Sequence, residues 1–156
     1  MTGDVEIAQP PADVWLHPDV SVGASSIAGR GLIAAAPLRA GEVVVCFGGR
    51  LVSLDELHGV FESAAAQGEY VDTIAVDHDV HLVLPSATTA HFANHSCDPT
   101  MWRSGVYELA TCRTVAAGDE LTVDYATLSN DPDFSMTCTC GAANCRRLIT
   151  GVGEAR

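Results

Sequence analysis

At 156 residues and 47% hydrophobic content, the chain is long enough for one domain with a buried core and too apolar to be disordered throughout. Its formal charge of -12, from 20 acidic against 8 basic residues, argues against a phosphate backbone as direct ligand and for a cationic partner, although acidity also serves solubility. Residues 1–19 lack the basic start and apolar run of a leader, and nothing approaches the ~20 apolar residues that span a bilayer, so a cytoplasmic protein without membrane or nucleic-acid contact is expected.

All eight basic residues are arginines, so any lysine chemistry must act on another molecule. Residues 1–19, with Pro10-Pro11 and Pro18, read as an extended N-terminal arm that Trp15 and Leu16 can dock. From residue 20 the pattern is β-like. Apolar runs at 20–22, 32–35 and 43–47 are separated by Gly29-Arg30-Gly31 and Ala40-Gly41-Glu42. Ser53-Leu54-Asp55-Glu56 is a capping-box pattern, followed by Leu57, Val60, Phe61, Ala64 and Ala65 at helical spacing, with Gly68 as the stop. Residues 71–76 and 80–84 predict a hairpin around Asp77-His78-Asp79. A second is predicted from 106–115 and 121–125 across Ala116-Ala117-Gly118-Asp119. Residues 126–137 read as a loop leading to a cysteine cluster.

That cluster, Cys138-Thr139-Cys140 with Cys145, offers three thiols in a C-x-C-x4-C array. Structural zinc takes four ligands, and Cys97 is the candidate for the fourth; disulfides or unpaired buried thiols are the alternatives. Cys46 and Cys112 lie in apolar runs and read as small core residues.

Four motifs in order carry a resemblance: Gly29-Arg30-Gly31-Leu32, Asn94-His95-Ser96-Cys97-Asp98-Pro99, Gly118-Asp119-Glu120-Leu121-Thr122-Val123-Asp124-Tyr125, and the C-x-C-x4-C tail. Together they resemble the SET-domain methyltransferases with their post-SET zinc segment, in a minimal bacterial-like form. The resemblance implies a mostly β, β-clip-like SET fold with one short helix, pseudoknot-like threading and a C-terminal zinc-bound tail. It divides the chain into an arm (1–19), a SET domain (20–127), a post-SET zinc segment (128–150) and a tail (151–156). It also implies S-adenosylmethionine and a substrate lysine entering a narrow channel from opposite faces.

Methyl transfer from a sulfonium to an amine is an in-line displacement, so the protein must align the reacting atoms and exclude water. A lysine ammonium, with a solution pKa near 10.4, must also lose its proton, which an apolar channel beside a sulfonium favours. Tyr125 matches the family's catalytic tyrosine, which also lies against the cofactor. Gly29, Arg30 and Gly31 match the loop that meets the cofactor's carboxylate, and Asn94 and His95 match the pair that holds its amino group and adenine edge. Cys97, Cys138, Cys140 and Cys145 match the zinc ligands. Tyr70 matches a residue lining the cofactor or lysine pocket, with Phe47 and Val123 on the substrate side.

Three departures stand out. Phe47 sits where the family commonly has tyrosine, His91 where many relatives have arginine, and Val123 where relatives use phenylalanine or tyrosine to limit methyl number. The smaller Val123 implies room beyond monomethylation. The leading expectation is a protein-lysine N-methyltransferase acting on a basic protein segment. A small-amine methyltransferase and a non-catalytic SET-like binding module are the alternatives, and nothing in the sequence sets the oligomeric state.

Overall fold

The structure, a computed structural model, describes residues 6–86 and 88–151. Residues 1–5 of the arm and 152–156 of the tail lie outside them. The strands are short because turn residues recur every few positions. In chain order they are β1 (Trp15–Leu16), β2 (Val20–Ala24), β3 (Arg30–Ala34), β4 (Val43–Cys46) and β5 (Arg50–Val52), then the helix α1 (Leu54–Gln67). After it come β6 (Thr73–Asp77), β7 (Val80–Val83), β8 (Asn94–His95), β9 (Met101–Gly105), β10 (Glu108–Thr111), β11 (Glu120–Val123), β12 (Ser135–Thr137) and β13 (Leu148–Thr150). They form sheets ordered β1-β4-β10-β9, β2-β3-β11-β8, β5-β7-β6 and β12-β13. Leu32, Val44, Val45, Leu82, Met101, Leu109 and Leu121 fill the space between them and are fully buried. The architecture is thus mostly β with one helix, as expected. No helix among the described residues is long and apolar enough to cross a membrane.

α1 starts and stops where its sequence says. The Ser53 hydroxyl accepts from the Glu56 N–H at 3.2 Å, while the Glu56 carboxylate accepts from the Ser53 N–H at 2.8 Å. Asp79, in the β6–β7 turn, takes the Leu54 N–H at 2.9 Å, so the hairpin also caps the helix. Gly68 closes it at φ 68°.

The predicted 71–84 hairpin forms as β6 and β7. The second predicted hairpin does not. β10 pairs with β9 and β4, whereas β11 pairs with β3 and runs parallel to β8. The turn at Gly118 is real, at φ 91°, but it is anchored sideways: the Gly118 N–H donates to Ala34 O at 2.7 Å and Asp119 O accepts from Ala34 N at 3.0 Å. Those bonds carry the chain onto β3 instead of folding it back on β10. The expected 126–137 loop likewise contains β12, because Met136 pairs with the buried Ile149 of β13.

The arm is tied down at several points. β1 pairs with β4, the Tyr107 hydroxyl donates to Ala8 O, and the Gly49 N–H donates to Pro11 O at 2.9 Å. A Cβ on Gly49 would lie 2.0 Å from Val83 O, at a φ of +141° that only glycine occupies readily. Gly49→Ala is therefore expected to cost roughly 3 kcal/mol in urea unfolding. Gly59→Ala, inside α1 with open space around it, should gain roughly 0.5–1 kcal/mol.

Candidate active site and thiol cluster

β11 delivers Tyr125 to the site. The strand ends at Val123, and Asp124 Oδ1 accepts from the Ala126 N–H at 3.0 Å, turning the chain into a short 3-10 turn. The Tyr125 hydroxyl then donates to Ala93 O at 2.6 Å. Burial, with Asp72 and then Tyr70 and Glu120 nearby, pushes this phenol up to about 12, so it stays a neutral hydroxyl. With its proton committed to Ala93 O, its remaining lone pairs are free to accept. A cavity of about 310 Å³ adjoins it, lined among others by Phe47, Tyr70, Val123 and Tyr125. The predicted substrate-side residues therefore share one space. Phe47 and Val123 are buried walls, whereas Tyr70 is 73% exposed.

Next to Tyr70 lies a pair that sequence reasoning had not assembled. His91 Nδ1 is 3.3 Å from Asp72 Oδ2, and the Tyr70 ring meets the His91 ring edge-on at 4.7 Å. Burial pushes the Asp72 carboxyl up, and the His91 contact pulls against it. The signal that could have found Asp72 was an acidic residue inside the apolar run 71–76.

The glycine loop and the Asn-His segment meet in one corner. Asn94 Nδ2 lies 3.0 Å from Ser25 Oγ, 3.1 Å from Ala28 O and 2.9 Å from Arg30 O, so it holds the β2–β3 loop, which ends at Gly29, and the start of β3 at Arg30 and Gly31. Arg30 places its guanidinium 4.9 Å above the Phe92 ring. A Cβ on Gly31 would lie 2.6 Å from Glu120 Oε1 and 3.2 Å from Asn94 Nδ2, so this closeness requires glycine. Both Glu120 oxygens are buried without a partner among the described residues. An acidic group that meets no hydrogen-bond or ion-pair partner among the described residues, next to Gly31, fits a cofactor that carries positive charge.

His95 is turned inward. Its Nδ1 is 3.0 Å from the Tyr125 N–H and its Nε2 3.4 Å from Cys97 Sγ. Burial pushes the imidazole below the usual histidine range, with Asp124 pulling the other way. Both ring nitrogens are occupied within the protein, so His95 is left with its backbone to offer a ligand.

Cys97, Cys138, Cys140 and Cys145 come together, their sulfurs within 4.8 Å of one another. The Cys97–Cys138 separation of 3.8 Å matches the edge of a tetrahedron with Zn–S bonds of about 2.3 Å. N–H groups already point at the sulfurs, Arg146 N at Cys97 Sγ (3.4 Å) and Cys97 N at Cys140 Sγ (3.5 Å), as thiolates require. Burial raises the Cys140 thiol, but the N–H groups of Cys97 and Ala142, together with the Cys138 and Cys145 thiols, outweigh it and bring it down to about 6. The four sulfurs could hold a metal ion, and an all-thiol set suits zinc. All six cysteines are free, so no disulfide competes. Of the two outside the cluster, Cys46 is half-buried. Cys112 is exposed, contrary to the expectation of a core residue, because it follows the end of β10 and its thiol donates outward to Pro99 O at 3.2 Å.

Under α1, the cavity wall includes His81, which is buried and whose Nε2 meets no partner among the described residues. Burial holds its imidazole below the usual range against the pull of Asp79 and Asp131. A histidine depressed on folding contributes stability above the unfolded value of about 6.5, and that contribution is lost on acidification. His81→Leu is expected to add about 1 kcal/mol at neutral pH and to flatten the acid limb of stability, read by urea titration at several pH values.

A small β domain in which a glycine loop, an Asn-His segment with its cysteine, a strand-end tyrosine and a three-thiol tail converge defines the SET class of fold and site. The family model for the SET domain matches residues 29–126, and the chain belongs to the SET domain family. It is 30% identical over 139 residues to "Histone-lysine N-methyltransferase 2B" of Homo sapiens, covering 83% of this chain and 5% of that protein. It is 31% identical over 144 residues to "Histone-lysine N-methyltransferase ATX2" of Arabidopsis thaliana, covering 83% and 13%. With "Histone-lysine N-methyltransferase Su(var)3-9" of Drosophila pseudoobscura pseudoobscura the identity is 29% over 161 residues, covering 85% and 25%. The chain thus spans a quarter or less of the length of these relatives. The four cysteines near and before its C-terminus are compatible with a post-SET segment.

Proposed function

We propose that the protein is an S-adenosylmethionine-dependent protein-lysine N-methyltransferase that acts on a basic protein segment. The observation that carries this reading is the Tyr125 hydroxyl, fixed on Ala93 O and facing a cavity walled by Phe47 and Val123. When bound, the cofactor supplies an electrophilic methyl group. Gly29, Arg30, Gly31 and Asn94 are the residues that would hold it, with Glu120 offsetting its positive charge. The Tyr125 oxygen accepts a hydrogen bond from the incoming amine and so aims its lone pair at the methyl carbon. Phe47 and Val123 exclude water from the amine and favour its neutral form. The pair Asp72 and His91, with Tyr70, places polar groups at the cavity for an arriving ammonium.

The charge of -12 supports a cationic polypeptide as substrate, and the similarity to histone-lysine N-methyltransferases points to histone-like proteins. Zinc on the four thiols and a cytoplasmic, reducing location belong to the same reading. The open space left by Val123 supports transfer of more than one methyl group, and mass spectrometry that found only monomethyl-lysine would contradict this.

The test is incubation of the full chain with a methyl-labelled cofactor and a panel of basic proteins, histones among them, and with small amines. Label on protein lysines is the expected result. Label confined to small amines would replace the substrate class, and cofactor binding without transfer to either would leave only a binding module.

A further inference from the structure

We infer that the His95 side chain is a positioning residue, a strut that ties the thiol cluster to the backbone of Tyr125. The inference assigns His95 a task other than cofactor contact, and its catalytic meaning rests on the methyl-transfer reading above. Its bonds do not.

A backbone N–H can only donate. The Tyr125 N–H lies 3.0 Å from His95 Nδ1, so that nitrogen must present a lone pair. In a neutral imidazole the proton is then on Nε2, which is 3.4 Å from Cys97 Sγ and donates to it. The opposite tautomer would turn Nδ1–H against the Tyr125 N–H, and a Cys97 thiolate would then face a lone pair on Nε2. Asp124 Oδ1, 3.7 Å from Nδ1, offers no rescue, because it already accepts from the Ala126 N–H at 3.0 Å and Arg146 Nη2 at 2.6 Å. The imidazole, 2% exposed, has no room to swing elsewhere.

A second tie runs beside the first. The Arg146 N–H points at Cys97 Sγ at 3.4 Å, and the Arg146 guanidinium reaches back to Asp124 Oδ1. Cys97 therefore holds residues 124 and 125 by two routes, one through His95 and one through Arg146. β11 has ended at Val123, so no strand pairing fixes Tyr125. The His95 and Tyr125 rings also touch, with centroids 5.3 Å apart at 61°.

Two substitutions separate the halves of the strut. The terminal amide of glutamine can stand where Nε2 stands, keeping the donor to Cys97 and losing the acceptor for Tyr125. The shorter asparagine can present its oxygen where Nδ1 stands, keeping the acceptor and losing the donor. In the zinc-loaded full chain, long-range proton–nitrogen NMR is expected to find the His95 proton on Nε2. In His95→Gln the Tyr125 amide should exchange with solvent about tenfold faster, with kcat falling more than KM changes. The cobalt(II)-loaded form of that variant should keep its thiolate charge-transfer band. His95→Asn should reverse the pattern, with a shifted cobalt band and a protected Tyr125 amide. A proton on Nδ1 in the wild type, or an equally slow Tyr125 amide in His95→Gln, would overturn the inference. The wild-type measurement needs no variant to fold. A chain that never transfers a methyl group would sink the proposed function while leaving these resonances to decide the strut.

Discussion

Replacing Tyr125 with phenylalanine is expected to lower kcat by roughly 10²- to 10³-fold, the loss typical of removing one preorganised hydrogen-bonding group from a reacting centre. Affinity for the demethylated cofactor should change little, within about threefold, because the residues assigned to hold it are Gly29, Arg30, Gly31 and Asn94. The variant loses two things at once: the tie to Ala93 O that fixes the ring, and the oxygen that orients the amine. Isothermal calorimetry with the demethylated cofactor, beside single-turnover transfer, separates orientation from binding. A Phe variant with wild-type kcat would remove Tyr125 from the chemistry. The pH profile carries a related expectation. A phenol pushed up to about 12 from an unfolded value near 10 keeps its proton across the working range. Its contribution to stability is intact below about pH 10 and is lost as the pH climbs through 12. The rate should therefore rise with pH as the substrate amine loses its proton, with no fall below pH 10 traceable to Tyr125.

Cys140→Ser is the second large effect. It should abolish tight zinc binding and cost several kcal/mol of folding free energy, since a structural zinc site contributes its binding energy directly to folding. Locally, β12 and β13 pair over only three residues each, with Ile149 and Cys138 the buried contacts between them and the body. A two-stranded ribbon of that length does not persist in water unaided. Hydrogen exchange is expected to show residues 135–150 unprotected in the variant while β3, β4 and β10 keep their protection. Cys112→Ser, at an exposed cysteine outside the cluster, serves as the control and should fall within about 0.5 kcal/mol of wild type. Zinc retained at one ion per chain in Cys140→Ser would refute the ligand assignment.

Local chemistry was the readable part of the sequence. α1 was legible to the residue because its boundaries are set by Ser53, Glu56 and Gly68, which act over three or four positions. The four thiols were legible because their spacing admits few other roles. What failed was pairing at a distance. The 116–119 turn looked like a hairpin connection, and only the bonds from Gly118 and Asp119 to Ala34, more than eighty positions away, send the chain onto β3. Likewise the motif placed His95 in the site but not the direction of its ring, which depends on where Cys97 and Tyr125 lie in space. Asp72 escaped notice for the same reason, because its partner His91 is nineteen positions on.

One ligand of the thiol cluster lies 41 positions before the next, Cys97 against Cys138. On a ribosome the lone early sulfur emerges well before its three companions, with β9, β10 and β11 still to be made. The β body can thus assemble first, and the gathering of the four thiols becomes the closing stroke of biogenesis. A chain whose tail failed to dock would keep a shaped body but leave Asp124, next to Tyr125, without its bond to Arg146.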